Sequence, residues 1–113
     1  MKSKREKRIR LKAKIRAKVF GTSERPRLSV FKSNKFIYAQ LIDDTKGATI
    51  GAASDVTAKS GTKIVRAASV GADIAKVGQG KKITKVVFDR NGFNYTGRIK
   101  VLADEARKGG LEF

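Results

Sequence analysis

Ten of the first 20 residues are lysine or arginine, and the only acidic residue among them is Glu6. Like charges at this density repel one another, so this segment cannot form a compact structure by itself. The basic run stops at Gly21, and beyond it hydrophobic residues recur with the spacing of an ordinary folded domain. We therefore divide the chain into a basic arm with its hinge, residues 1–24, and one globular domain, residues 25–113.

The globular domain is basic as well. Residues 28–113 carry 15 basic and 8 acidic side chains, and the whole chain has a net charge of +17. A chain this basic is expected to bind a polyanion, and nucleic acid is the first to consider. A solubility tail on an unrelated domain fits less well, because solubilising tails tend to be acidic or mixed in sign.

Two absences from the composition weigh against an enzyme. The chain has no cysteine, which excludes disulfides, thiolate metal sites and a cysteine nucleophile. It has no histidine, the commonest general base and metal ligand. No apolar run has the length of a membrane span, and the N-terminus lacks the apolar segment of a secretory signal. We expect a cytoplasmic protein that is not an enzyme, with no cofactor, no metal, no small-molecule substrate and no membrane partner.

In the arm, cations alternate with apolar or small residues, a period of two that is typical of a strand. However, Ala, Lys, Arg and Leu favour helices, and no Gly or Pro interrupts residues 1–20. We expect the arm to be disordered or fraying alone and to become ordered, as a helix, against phosphates. A membrane-surface helix would instead separate its cations from a broad apolar face. The candidate phosphate contacts are Lys4, Arg5, Lys7, Arg8, Arg10, Lys12, Lys14, Arg16 and Lys18.

The spacing in the globular domain predicts an α/β fold. Strands are expected at residues 27–33, 36–43 and 48–54, followed by a helix at 62–77 that ends at Gly78 and Gly80. A short strand at 85–89 and a last helix around 99–106 complete the order. The first three strands should form an antiparallel meander. The fourth should lie parallel to one of them, because a helical crossover precedes it. The helices should pack on this small mixed sheet.

A turn at Asn34-Lys35 would fix the register of the first hairpin. It places Phe31 opposite Tyr38 and Ser29 opposite Gln40 on one face. The other face is then apolar and is the natural core side: Leu28, Val30, Ile37, Ala39 and Leu41. The two rings on the first face can stack on unpaired bases, or they can belong to a core covered by helices. The sequence leaves both interpretations open.

Further candidate RNA contacts fall in two groups. The first lies on the hairpin, where charged, hydroxyl, amide and aromatic side chains can reach phosphates, 2′-hydroxyls or bases. Its members are Arg25, Arg27, Ser29, Phe31, Ser33, Asn34 and Tyr38. The second group, Arg90, Asn91, Tyr95 and Arg98, runs from a strand end into a helix start. The alternative for this second group is a structural turn in which Asp89 caps nearby backbone.

Three motifs follow one another along the globular domain. They are RPRLSVFKSNKFIYAQLIDD at 25–44, VVFDRNGF at 86–93 followed by Tyr95 and Gly97-Arg98, and LADEAR at 102–107 followed by GLEF at 110–113. In order, spacing and total length, the chain resembles the bacterial large-subunit ribosomal protein family numbered eighteen. The chain departs from it in two places: the family commonly has Gly where Asn91 stands, and residues 55–61 are short relative to many members.

The resemblance implies a structural protein of the large ribosomal subunit that binds 5S ribosomal RNA. The implied partners also include 23S ribosomal RNA and the neighbouring 5S-binding proteins of the central protuberance. It further implies a mixed sheet with helices packed against it, which agrees with the predicted order of elements.

Two other functions are considered beside this one. The first is a nuclease whose metal ligands would be Asp43, Asp44, Asp89 and Asp104. Asp43 and Asp44 are adjacent, however, so at a turn they more simply stabilise it. The second is a nucleic-acid chaperone that tolerates any sequence, which would bind duplex DNA and unrelated RNA as well as 5S RNA.

Overall fold

The computed structural model describes residues 3–16, 19–56 and 61–113. Within these ranges the elements are α1 Lys4–Arg16, β1 Arg27–Lys32, β2 Ile37–Asp43, β3 Ala48–Ser54, α2 Lys63–Gly80, β4 Val87–Asp89 and α3 Gly97–Lys108. None of the helices in the described ranges is both long enough and apolar enough to cross a membrane.

The strands form one mixed sheet in the order β3-β2-β1-β4. Strands β1, β2 and β3 form an antiparallel meander, and β4 pairs with β1 in parallel. The predicted α/β architecture is thus confirmed. Strand β4 is shorter than the predicted 85–89, because Lys85 forms a separate bridge with Glu112 and Val86 N–H donates to the Glu112 carbonyl.

The predicted hairpin register is also confirmed. Phe31 lies opposite Tyr38 and Ser29 opposite Gln40, and Ser33 N–H donates to the Phe36 carbonyl across the turn. The predicted core side is fully buried: Leu28, Val30, Ile37, Ala39 and Leu41 have no exposed surface. These side chains form one cluster with the apolar faces of α2 and α3, so both helices cover this face and leave the other uncovered by them.

Helix α2 begins as its sequence indicates and ends later. The Thr62 hydroxyl accepts a hydrogen bond from Val65 N–H, a normal N-cap. The prediction that Gly78 helps to end the helix was wrong, because the helix continues through it to Gly80. A Cβ atom at Gly78 would lie 3.0 Å from Leu111 Cδ2. Glycine there serves close packing against the segment that follows α3.

Candidate RNA interface

Helix α1 presents cations on all sides. Arg8 is partly buried, and the other described cationic side chains of the helix are exposed: Lys4, Arg5, Lys7, Arg10, Lys12 and Lys14. Within the described residues, no carboxylate forms an ion pair with any of them. Residues 4–16 of the arm form a helix, the conformation that their residue types favour, while the ordering of the arm against phosphates stays a prediction. Lys18 and the side chain of Arg16 lie outside the described residues.

The arm meets the globular domain at Gly92 and Phe93. A Cβ atom at Gly92 would lie 2.6 Å from the Arg8 carbonyl oxygen and 3.1 Å from the backbone nitrogen of Lys12. Gly92 also has a φ of 80°, which favours glycine. The Arg8 guanidinium lies 4.7 Å from the centre of the Phe93 ring, a cation–π contact. The helix therefore rests on the loop after β4.

The uncovered face of the sheet carries the predicted aromatic pair. Phe31 is 42% exposed and Tyr38 is half-buried. Their ring centres lie 6.2 Å apart, and Phe31 also meets Phe93 edge to face at 5.4 Å. The interpretation that helices bury this pair was wrong, since α2 and α3 lie on the opposite face. Stacking of the rings on unpaired bases stays a prediction.

Arg27 has structural partners in the fold. It is buried, and its guanidinium donates to Asp44 through Nε at 2.9 Å and to Asp89 through Nη1 at 2.8 Å. Burial disfavours its charged form, but the hydrogen bonds to these two carboxylates outweigh that cost and raise the pKa of Arg27. The side chain thus links β1 to the turn after β2 and to the end of β4. An RNA contact by Arg27 stays a prediction.

Asn91 and Ser29 bond to each other. The Asn91 side-chain amide donates to Ser29 Oγ and to the Val30 carbonyl, both at 2.8 Å. Asn91 has a φ of 52°, a conformation that Asn tolerates better than most residues. Asp89 Oδ1 accepts from Asn91 N–H at 2.9 Å. Asp89 therefore caps nearby backbone as the structural-turn alternative expected, while RNA contact by this loop stays a prediction.

The other residues of this second group also have internal partners. Arg90 Nη1 donates to the Phe93 carbonyl, and the Tyr95 hydroxyl accepts from Arg107 Nη1, each at 2.8 Å. Arg98 Nη2 donates to the Ser33 carbonyl at 3.0 Å, while its Nη1 is buried and has no hydrogen-bond partner among the described residues. The structure brings Arg98 next to the hairpin turn, so the two predicted groups adjoin.

At the hairpin turn and the hinge, the candidates are exposed. Arg25, Ser33 and Asn34 all lie at the surface. Arg25 N–H donates to Thr22 Oγ1, which fixes the backbone but leaves the charged end of the side chain in solvent. These three residues are placed where RNA can reach them, and their contacts stay predictions.

One cationic group beside this turn was not evident from the sequence. Burial, then the nearby charges of Arg98 and Lys63, lower the pKa of Lys32. Its ammonium lies 5.7 Å from the centre of the Phe93 ring. Neither Lys32 nor Lys63 was a candidate, because they are far apart in sequence. Only the approach of the α2 start to the end of β1 brings them together.

The four aspartates of the nuclease alternative serve other purposes. Asp43 accepts from the Thr45 backbone at 3.0 Å, as expected for a turn, and Asp104 forms an exposed ion pair with Lys100. Asp44 and Asp89 hold Arg27. No group of three potential metal-ligating side chains forms in the part of the chain that the structure describes.

Comparison with known proteins gives one result. Residues 2–113 match the family model described as ribosomal L18 of archaea, bacteria, mitochondria and chloroplasts. The large ribosomal subunit proteins uL18 of Porphyromonas gingivalis and Bacteroides thetaiotaomicron are each 54% identical over 114 residues, covering 100% of both chains. The uL18 protein of Lactobacillus delbrueckii is 53% identical over 109 residues, which is 94% of this chain and 92% of that one. The chain belongs to the L18 family of large-subunit ribosomal proteins.

Proposed function

We propose that this protein is a structural constituent of the large ribosomal subunit that binds 5S ribosomal RNA and helps attach it to 23S ribosomal RNA in the central protuberance. Family membership supports the ribosomal, cytoplasmic and structural part of this function. The motifs of the sequence support 5S RNA as the specific partner, and the neighbouring 5S-binding proteins as further partners.

One observation carries the proposal: the cations of α1 have no carboxylate partners in the described residues, whereas the buried Arg27 has two. Unpaired cations release counterions from an RNA backbone when they bind it, which gives affinity without sequence preference. The exposed Phe31 and the hairpin turn beside the arm add groups that can recognise unpaired bases and the 2′-hydroxyl. Affinity and selectivity thus come from adjacent parts of one surface.

A competition experiment tests the proposal. Labelled 5S RNA is bound to the full chain at physiological salt and displaced with unlabelled 5S RNA, transfer RNA or duplex DNA. We expect 5S RNA to compete much better than an equal mass of either other nucleic acid. Equal competition by all three would contradict the proposal and favour a nucleic-acid chaperone. Cleavage of structured RNA in the presence of magnesium would show a nuclease instead.

A further inference from the structure

A cleft of about 460 Å³ separates the arm from the globular domain. One wall is α1, which contributes Lys4, Lys7 and Arg8, and the other is the end of β1 at Lys32 together with the loop after β4. No Asp or Glu is among the described residues that line it. Cations that face each other across a gap repel, so this arrangement is favourable only when an anion lies between them.

One cation from each wall lies near the same aromatic ring of the cleft. The Arg8 guanidinium and the Lys32 ammonium lie 4.7 and 5.7 Å from the centre of the same Phe93 ring. Burial, and then the charges of Arg98 and Lys63 outside the cleft lining, lower the pKa of Lys32 and so disfavour its charged form. A phosphate placed in the cleft would reverse that effect. A short stretch of nucleic-acid backbone can therefore contact both walls at once.

The floor of the cleft offers neutral polar groups. Asn94 and Thr96 line it, and both side chains are exposed. Thr96 stands at the N-cap position of α3, yet its hydroxyl makes no capping hydrogen bond within the described chain. A hydroxyl free of the cap can bond to a ribose 2′-hydroxyl, the group that distinguishes RNA from DNA.

We infer that this cleft is a clamp for one RNA strand, whose phosphates are held between Lys7 of the arm and Lys32 of the globular domain. The inference rests on the proposed function and adds to it the place and manner of binding. In a clamp, loss of either wall lets the strand leave the other, so the two lysines contribute as a pair. On a surface that binds RNA diffusely, they would contribute independently.

A double-mutant cycle tests the clamp with the full chain and 5S RNA. The variants are Lys7→Ala, Lys32→Ala and both together; the control cycle uses Arg10→Ala and Lys46→Ala, exposed cations that do not line the cleft. Each control change that removes one phosphate contact should weaken binding about fivefold at physiological salt, and each cleft change should weaken it more, because the strand then leaves both lysines. Removing both cleft lysines should cost little more than removing one, whereas the control losses should multiply.

Two readouts separate failure of the clamp from failure of the proposed function. If the cleft losses also multiply, or exceed the product, the clamp is overturned while 5S binding stands. If the unaltered chain does not prefer 5S RNA in the competition above, the proposed function fails first, and the clamp, which rests on it, fails with it. Circular dichroism of each variant confirms that the fold is kept.

Discussion

The arm and the globular domain differ in whether their basic side chains have carboxylate partners. In the globular domain, the buried Arg27 is held by Asp44 and Asp89, and Arg66 lies 3.6 Å from Asp55. In α1, no described cation has an acidic partner. Carboxylates in this chain are scarce, ten against 27 basic residues. Of the buried ones, Asp55 and Asp89 pair with cations of the globular domain, while Asp43 accepts from Thr45.

This difference separates two roles for the same residue types. A cation that is buried needs a carboxylate, because an unpaired buried charge is strongly destabilising. A cation that must bind RNA is better left without one, since an internal partner would compete with phosphate. Pairing therefore indicates a contribution to the fold, and its absence beside a cleft indicates binding.

The largest effect is expected from Asp89→Ala. The change leaves Arg27 with one carboxylate and removes the acceptor of Asn91 N–H. Loss of one partner of a buried ion pair costs about 3 kcal/mol in free energy of unfolding. Urea unfolding followed by circular dichroism measures it.

The matched control for that variant is Asp104→Ala, which removes an exposed partner of Lys100. The pKa of Asp104 is lowered by its hydrogen bond to Lys100, but solvent screens the pair, so the unfolding midpoint should not change measurably. Equal destabilisation by the two substitutions would break the distinction between buried and exposed charge.

A smaller effect is expected from Gly92→Ala. The new Cβ would lie 2.6 Å from the Arg8 carbonyl, so the arm has to shift away from the loop. Misfit of this size typically costs about 1–3 kcal/mol, and affinity for 5S RNA should fall about tenfold. Filter binding at fixed salt measures the loss.

Gly47→Ala is the control, because Gly47 also has a positive φ, 62°, but a Cβ there meets nothing within 4 Å. It should reproduce the cost of an unfavourable backbone conformation and leave RNA affinity unchanged. Similar affinities for the two variants would show that the contact between the arm and Gly92 does not affect RNA binding.

The smallest effect is expected from Lys32→Met, which should stabilise the fold slightly and weaken RNA binding. The pKa of Lys32 is lowered in the folded protein, so its positive charge destabilises the fold at any pH below this lowered pKa. The penalty shrinks as the pH rises and is gone above the ordinary pKa of a lysine. Removing the charge should therefore raise the thermal midpoint slightly at neutral pH while it weakens RNA binding. Lys35→Met, at the exposed hairpin turn, is the control. A lower midpoint for Lys32→Met would contradict this assignment.

Much of the fold could be predicted because the responsible signals are local. Alternation around Asn34 fixed the hairpin register, and the three-and-four spacing of small and apolar residues located α2. The end of α2 was predicted wrongly because Gly78 faces Leu111, a contact between residues distant in sequence. The sequence alone does not distinguish a glycine that ends a helix from a glycine that allows close packing.

The residue types of the candidate site could be predicted from the sequence, but its geometry could be predicted only in part. The cations of the arm were evident from the sequence. The bonds that the side chains of Arg27, Ser29 and Asn91 make inside the fold were not, because each joins residues 17 or more positions apart. Lys32 was overlooked for the same reason: the other cations that line the cleft belong to α1, and no local pattern connects the two segments.

The most direct test of the account compares the full chain with residues 21–113 in 5S RNA binding over a range of salt concentrations. Far-ultraviolet circular dichroism of the shortened chain should keep the signal of the sheet, α2 and α3. The log–log salt slope should become shallower by about 0.7 to 0.9 for each phosphate that the arm had neutralised. An unchanged slope would contradict the claim that unpaired arm cations bind the RNA backbone. Unfolding of the shortened chain would show instead that the arm belongs to the fold.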